Sequence, residues 1–534
     1  MLNTASALDP FRLNVAPWGG VTLRAQGTRT PLFLVHDGTG DETWFARLVE
    51  HVASDVPVCG LPPDETAARR PHTIEGMATR LLATMRSKQP RGPYRLLGAG
   101  LGGVLAYEMA VQLIGQDQAV EFVGLLDSQF PDWPQGRVTE ENPSLVRTTE
   151  SLHRYAQAVA RYAIQPMPLT LHLIVSAGKN PAQSAPVDTA APAQQGWASL
   201  VPRLQVWHAD DEGQGALGMG RALSRAMLDA AGSLASPAER RHGAHVVIQS
   251  GRRGEVPVVC VPGAGDSVIG FIPLSDALGP EFPLHGLQPR GVEGLLVPHA
   301  TVEAAASFYL DATLAMRRGG PVHLIGHSFG GWVAFEMALQ LHARGQSVAS
   351  LTIIDSEAPD GIGVLGNEYG STEALIELIR VMELSAGKRL GQVFNDIQRC
   401  GRGEQLRLLH EGMVRIGLLP KRSDPSAVRG LARTFGTALR TTYRPTQVYR
   451  GPVGLVLARN PTEDNSQNQR SQSSMLCGWK SWAPDVHGWS APGDHFSVLR
   501  QPHVKALAQW WLGRIGRGQV DARALQIGQP QAVG

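Results

Sequence analysis

Gly326-His327-Ser328-Phe329-Gly330 sets a serine between two glycines, each two residues away. A serine hydroxyl is a weak nucleophile. It needs a sharp turn to lift it clear of the backbone and a base to take its proton. The glycines serve the first need, because a Cβ at either place would crowd the turn. Val322–Ile325 before the motif is a short apolar run. Gly331–Ala343 after it carries Val333, Met337 and Leu341 at helical spacing. Strand, tight turn and helix in that order form the context of a nucleophile elbow.

In such an arrangement the orienting acid and the base follow the serine, acid first. Ala491-Pro492-Gly493-Asp494-His495-Phe496 puts a histidine on a Pro-Gly turn just ahead of a last helix, Val504–Leu512. His495 is therefore the expected general base; His487 and His503 lie nearby without that turn. Two carboxylates compete for the acid. Asp355 ends the apolar run Leu351–Ile354, and Asp464 follows the run Val453–Ala458. Asp355 is preferred, since a buried strand ending in Asp-Ser has little structural use for an acid, and Asp464 stays as the alternative. The tetrahedral oxyanion of acyl transfer needs donors set in place beforehand, each worth about 10²- to 10³-fold. The expected donors are the amides of Phe329 and of Ala264, the latter in the loop Pro262-Gly263-Ala264-Gly265 after the run Pro257–Val261. Asp266-Ser267 in that loop faintly resembles a phosphopantetheine attachment site, but its place after a core strand makes it a decoy.

The elements that must position these residues occur twice. Residues 92–128 and 320–356 align without a gap at an offset of 228, and 16 of the 37 positions are identical. Residues 21–41 likewise parallel 247–268, with one residue less in the glycine loop. A period this long means two copies of one fold, not a solenoid. The expected domains are 19–232 and 245–520, with 233–244 as a polar, breaker-containing linker. The residues after about Gly518 show no strong pattern. Apolar runs bounded by glycine recur in each copy: Pro31–Val35, Tyr94–Leu97 and Phe122–Leu126, then Pro257–Val261, Val322–Ile325, Leu351–Ile354 and Val453–Ala458. With helices between them they predict an α/β fold with a mainly parallel sheet.

Composition narrows the class. A formal charge of +2 gives no electrostatic footprint for nucleic acid or an anionic membrane. No apolar run is long enough to cross a bilayer, and the opening residues lack the basic-then-apolar order of a secretory signal. Cys59, Cys260, Cys400 and Cys477 are scattered, without the spacing of disulfide or metal frameworks. A cytoplasmic protein without metal or bound cofactor is the expectation.

FPLHGLQPRG (282–291), TVEAAASFYLDA (301–312), GHSFGGWVAFEMA (326–338), IIDSEAP (353–359), TTYRPTQVYRGPVGLVLAR (441–459) and GDHFSVL (493–499) together resemble the thioesterase domains that end nonribosomal peptide synthetases and polyketide synthases. The likeness covers nearly the whole chain, twice. It implies two tandem α/β-hydrolase domains. It also implies transfer of an acyl or peptidyl chain from the phosphopantetheine thioester of a carrier protein onto Ser328, then release by water or by an internal amine or hydroxyl. An acid 27 residues after the serine, on the next strand, resembles this family and strengthens the choice of Asp355. The helix-like segments 372–387, 404–419 and 428–443 would form a lid over the acyl pocket of the second domain, or merely an extra packing layer. The implied partner is a carrier protein or an upstream synthetase module. A trans-acting thioesterase that clears misloaded carriers is the alternative.

The first copy lacks the chemistry. Its elbow reads Gly98-Ala99-Gly100-Leu101-Gly102, with glycine in the place of the serine. Asp127 stands where the acid should be. Aligning Trp207 with Trp489 puts Gly213 opposite His495 and leaves His208 as a loop residue five positions too early. Losing the serine alone costs on the order of 10⁶-fold in such enzymes, so this half is expected to be a folded pseudo-enzyme with a structural or carrier-binding role.

Overall fold

The computed structural model describes residues 17–527 except 18, 38–42, 64–72, 131–154, 156, 177–189, 210–214, 232–242, 318–319, 360–369, 392–396, 398–399 and 401. They divide into two compact units, Met1–Arg241 and His242–Gly534 in outline, with 367–373 and 400–403 grouped with the first. Residues 233–242 of the expected linker lie outside the described residues.

Among the described residues each unit holds one seven-stranded sheet. The first comprises β1 (Val21–Arg24), β2 (Leu32–Val35), β3 (Val58–Leu61), β4 (Tyr94–Ala99), β5 (Val120–Leu126), β6 (Thr170–Val175) and β7 (Arg203–His208). The second comprises β8 (His245–Gln249), β9 (Val258–Val261), β10 (Leu284–Leu287), β11 (Val322–His327), β12 (Val348–Ile354), β13 (Val453–Leu457) and β14 (Val486–Ser490). Read from the same edge, the strand orders are β1-β3-β2-β4-β5-β6-β7 and β8-β10-β9-β11-β12-β13-β14, one topology built twice. Among the described strands only the edge pairs β1–β3 and β8–β10 run antiparallel. The seven apolar runs read from the sequence all fall on strands. The short strands Val58–Leu61 and Leu284–Leu287 escape such a reading, because VCGL and LHGL carry a central glycine and little β-branching.

The central strands bury both faces, which is why they read as continuous apolar runs. In the second unit Val259, Val261, Leu324, Ile353 and Leu455 face the serine helix Phe329–Ala343 with its Phe335 and Ala338. Their neighbours Val258, Cys260, Ile325, Ile354 and Val456 face the other layer, where Phe271, Leu507 and Trp511 pack. The last helix runs His503–Ile527, well beyond the expected Val504–Leu512. The glycines at 513, 516 and 518 do not end it, since each costs a helix only about 1 kcal/mol against alanine.

One buried polar clamp occurs in both units. In the second, Tyr443 donates its hydroxyl to Glu336 Oε2 at 2.7 Å, and Gln340 donates to Glu336 Oε1 at 3.0 Å. In the first, Tyr162 donates to Glu108 Oε2 at 2.5 Å and Gln112 to Oε1 at 2.9 Å. A buried carboxylate is tolerable only when its oxygens are matched in this way. The clamp ties each elbow helix to the chain entering the sixth strand of its sheet. Tyr443→Phe or Tyr162→Phe should therefore cost about 1–3 kcal/mol, seen as a lower urea midpoint for the unit that carries the change. Burial also holds His36, His172, His323 and His327 neutral, each with its pKa lowered to about 4 from 6.5. The unfolded chain protonates them first, so no penalty exists above pH 6.5 and it grows as the pH falls towards 4. Urea midpoints should accordingly drop between pH 7 and pH 5.

Candidate active site

β11 ends on His327, Ser328 is the turn, and the serine helix begins at once with Phe329. Ser328 has φ 53° and ψ −126°, a conformation that a side chain bearing Cβ adopts only under constraint. The constraint is visible. The amide of Ser328 donates to the carbonyl of Ile354 at 2.9 Å, tying the turn to the next strand. A Cβ at Gly326 would run into the carbonyl oxygen of Gly330, and one at Gly330 into the carbonyl of Val261. Backbone therefore touches backbone where the glycines stand.

Asp355 follows β12 and is again held at positive φ, 46°, with its amide bonded to the carbonyl of Val456 at 2.8 Å. Its carboxylate points towards the end of the sheet. Oδ1 accepts from the amide of Ala458 at 3.0 Å, and Oδ2 lies 2.7 Å from His495 Nδ1. The carboxylate is 13% exposed and the imidazole 36%. His495 sits in a turn held by the Asp494 carboxylate, which accepts from the amides of Phe496 and Ser497 at 2.9 Å each. His327 Nε2 lies 3.0 Å from the carbonyl of His495, so the histidine turn abuts the elbow. The structure thus brings together the elbow, Asp355 and His495.

Asp464 takes no part in this cluster. It is the N-cap of the helix Asn465–Lys480, accepting from the amide of Gln467 at 2.8 Å while Gln467 reaches back to its own amide. That is a capping box, and its Asp-x-x-Gln signature stands in the sequence. His487 bonds Asp485 on β14. His503 opens the last helix. Ser267 caps the short helical turn Val268–Phe271, a structural duty in keeping with its reading as a decoy.

The loop with Ala264 crosses beside Ser328: a Cβ on Gly263 would lie 3.2 Å from that of Ser328. Phe329 is the first residue of its helix, so its amide has no intrahelical acceptor. Ala264 follows Gly263 in that loop, and Phe329 follows Ser328 directly in the chain. A small cleft opens against this loop, walled among others by Gly263, Ala264, Phe329, Val333, Tyr309 and Arg290. Helices Ser371–Ala386, Arg402–Ile416 and Ala427–Arg440 match the three helix-like segments. They share an apolar core through Leu378, Ile379, Leu409, Met413, Val428 and Phe435, and Ala264 packs against it. Arg500 donates to the carbonyl of Ser385 at 3.0 Å and to its hydroxyl at 2.8 Å, which joins this layer to the chain just past His495. Spacing in the sequence carries no trace of that link.

In the first unit Gly100 keeps the elbow geometry, φ 51° and ψ −119°, and its amide bonds the carbonyl of Leu126. Asp127 also keeps its place, at φ 48° with its amide on Ile174. Its carboxylate does something else. Ser176 donates to Oδ1 through its amide at 2.7 Å and to Oδ2 through its hydroxyl at 2.5 Å. Ser176 occupies the position of Ala458, so a hydroxyl takes the oxygen that His495 uses in the second unit. Trp207 pairs with Ile174 and Trp489 with Val456, the same register in both sheets. Gly213 lies outside the described residues. His208, expected in a loop, is the last residue of β7 opposite Val175, because the ladder extends one residue past Trp207. Among the described residues no group of three or more potential metal ligands occurs, and no helix is long and apolar enough to cross a membrane.

A family model described as thioesterase domain matches residues 30–225 and again 256–510. Over 283 residues the chain is 25% identical to chondramide synthase of Chondromyces crocatus, an alignment covering 51% of this chain and 7% of that protein. Over 108 residues it is 37% identical to a dimodular nonribosomal peptide synthase of Bacillus subtilis strain 168, covering 20% of this chain and 4% of that protein. The chain thus spans less than a tenth of the length of either relative. Among solved structures, the Vlm2 thioesterase domain with a bound dodecadepsipeptide aligns with 50% of this chain and 96% of its own at 22% identity, with a TM-score of 0.37.

The different duties of the two acids separate in experiment. Asp355→Asn should leave stability nearly unchanged and lower turnover by on the order of 10⁴-fold, the loss expected when a base is no longer oriented. Asp464→Ala should cost about 1 kcal/mol of stability through the lost cap and leave turnover intact. Urea titration beside a thioester hydrolysis assay reads both.

Proposed function

The chain belongs to the thioesterase domain family, and we propose that its second unit is a serine thioesterase that releases an acyl or peptidyl chain from the phosphopantetheine thioester of a carrier protein. The observation that carries this reading is the 2.7 Å contact of His495 Nδ1 with Asp355 beside an elbow that holds Ser328 at φ 53°. With Asp355 accepting from Nδ1, the proton acceptor of His495 is Nε2. Ser328 Oγ attacks the thioester carbonyl carbon while its proton passes to Nε2. The oxyanion is met by the amides of Phe329 and Ala264. Collapse breaks the carbon–sulfur bond, and the thiol leaves with the proton from His495. Water, or an amine or hydroxyl within the bound chain, then attacks the acyl-serine with His495 again as base, giving a free acid or a ring.

Several features support chain release as the biological role. The relatives include a nonribosomal peptide synthase, and such a synthase needs a step that frees its product. Helices Ser371–Ala386, Arg402–Ile416 and Ala427–Arg440 serve as a lid over the cleft at the oxyanion loop. The partner is a carrier protein or the synthetase module that bears one. No metal or bound cofactor enters this reaction.

The first unit is a pseudo-enzyme on this reading. Gly100 offers no nucleophile, and both oxygens of Asp127 are engaged by Ser176. Its role is structural or carrier-binding.

A fluorophosphonate probe tests both halves in one chain. Wild type should label once, at Ser328, and Ser328→Ala should abolish labelling and lower thioester turnover by on the order of 10⁶-fold. Labelling that survives the substitution would refute the assignment, and if it mapped to the first unit it would overturn the pseudo-enzyme reading.

A further inference from the structure

The serine motif contains a second histidine, which the mechanism above does not use. His327 is buried at the end of β11, only 6% exposed. Its ring centroid lies 4.9 Å from that of His495, tilted by 37°. Its Nε2 stands 3.0 Å from the main-chain oxygen of His495. A carbonyl oxygen can only accept, so Nε2 carries the proton and donates it. Nδ1 is left unprotonated towards the Gly263 backbone, where a Cβ would lie 3.5 Å from it. Burial favours this neutral form, placing the pKa at about 4.

The side chain is therefore a fixed donor, wedged between the oxyanion loop and the histidine turn. Asp355 restrains residue 495 through its ring. His327 restrains the same residue through its backbone. The two contacts approach from different strands and together limit both translation and rotation of the imidazole. Asp355 by itself restrains residue 495 only through its ring.

The other copy supplies an independent observation. Its elbow carries Ala99 at the position of His327, and its sequence carries Gly213 where His495 would fall. The donor and its histidine are thus both present in one half and both missing in the other. Gly98 and Gly102 meanwhile keep the elbow glycines. A side chain needed only to complete the turn would have a use in both halves.

We propose that His327 is a positioning residue: its Nε2–H pins the main chain of His495 to the nucleophile elbow and so keeps the base within reach of Ser328. This inference rests on the proposed serine mechanism. Misplacing a base by about 1 Å can cost on the order of 10²-fold, so the effect should be kinetic, with little change in stability.

Three variants of the full chain test it, with the rate of fluorophosphonate labelling at Ser328 and the urea midpoint as readouts. His327→Phe keeps a buried ring without the donor and should label about 10- to 100-fold more slowly. His327→Gln restores an N–H at similar reach and should recover most of the rate. His327→Asn is too short to reach the carbonyl and serves where the Phe variant fails to fold; it should be as slow. A donor-free variant that folds and labels at the wild-type rate would overturn the proposal. So would a folded Gln variant no faster than Phe or Asn, since the side chain would then matter for packing alone. A wild-type chain that does not label at Ser328 would instead refute the serine mechanism.

Discussion

The second unit depends on one close approach of backbone to backbone. Gly326 lies against the carbonyl of Gly330, and Gly330 against that of Val261. These contacts, with the bond from the Ser328 amide to Ile354, force the turn to φ 53° and lift the serine out of the sheet plane. Backbone held in so sparse a region costs about 1–3 kcal/mol, and it persists only because the surrounding strands over-determine it. The buried strands β9, β11 and β12 supply that rigidity. Their two-sided apolar packing leaves the elbow little room to relax.

The first unit meets the same constraint without a serine at the turn. Glycine stands in the strained place and adopts φ 51° at little steric cost. The acid keeps its left-handed backbone at φ 48°, because its amide is still needed by the neighbouring strand. A carboxylate left without the imidazole would lack a partner for Oδ2, and the Ser176 hydroxyl takes that role. Both oxygens of Asp127 thus find partners within the unit. The Glu–Tyr–Gln clamp and the indole bonds of Trp197 to Ser128 and Trp479 to Ser356 recur unchanged in kind. These contacts occur in both units, whereas among the described residues an imidazole meets the acid only in the second.

In the second unit the site is assembled from chain segments far apart in sequence. Residue 495 reaches residue 355 through its ring and residue 327 through its backbone. Arg500 then links the same segment to Ser385 in the helical layer. Residue 495 and the helical layer are thereby linked through one short segment of chain.

The sequence by itself determined the doubled α/β fold, the elbow and its missing serine in the first half, and the histidine turn. These are local signals: glycine spacing, two-sided apolar runs, and a repeat in register over 37 positions. The choice between Asp355 and Asp464 needed more. Position favoured the first, but only the tertiary structure brings one carboxylate to His495 and commits the other to a helix cap. The same holds for Ser176 on Asp127, His327 on the His495 carbonyl and Arg500 on Ser385. Each is a hydrogen bond between segments 49 to 168 residues apart. Hydrogen bonds depend on distances of a few tenths of an ångström and on direction. Periodicity fixes which face a residue occupies. It does not fix which atom it meets there.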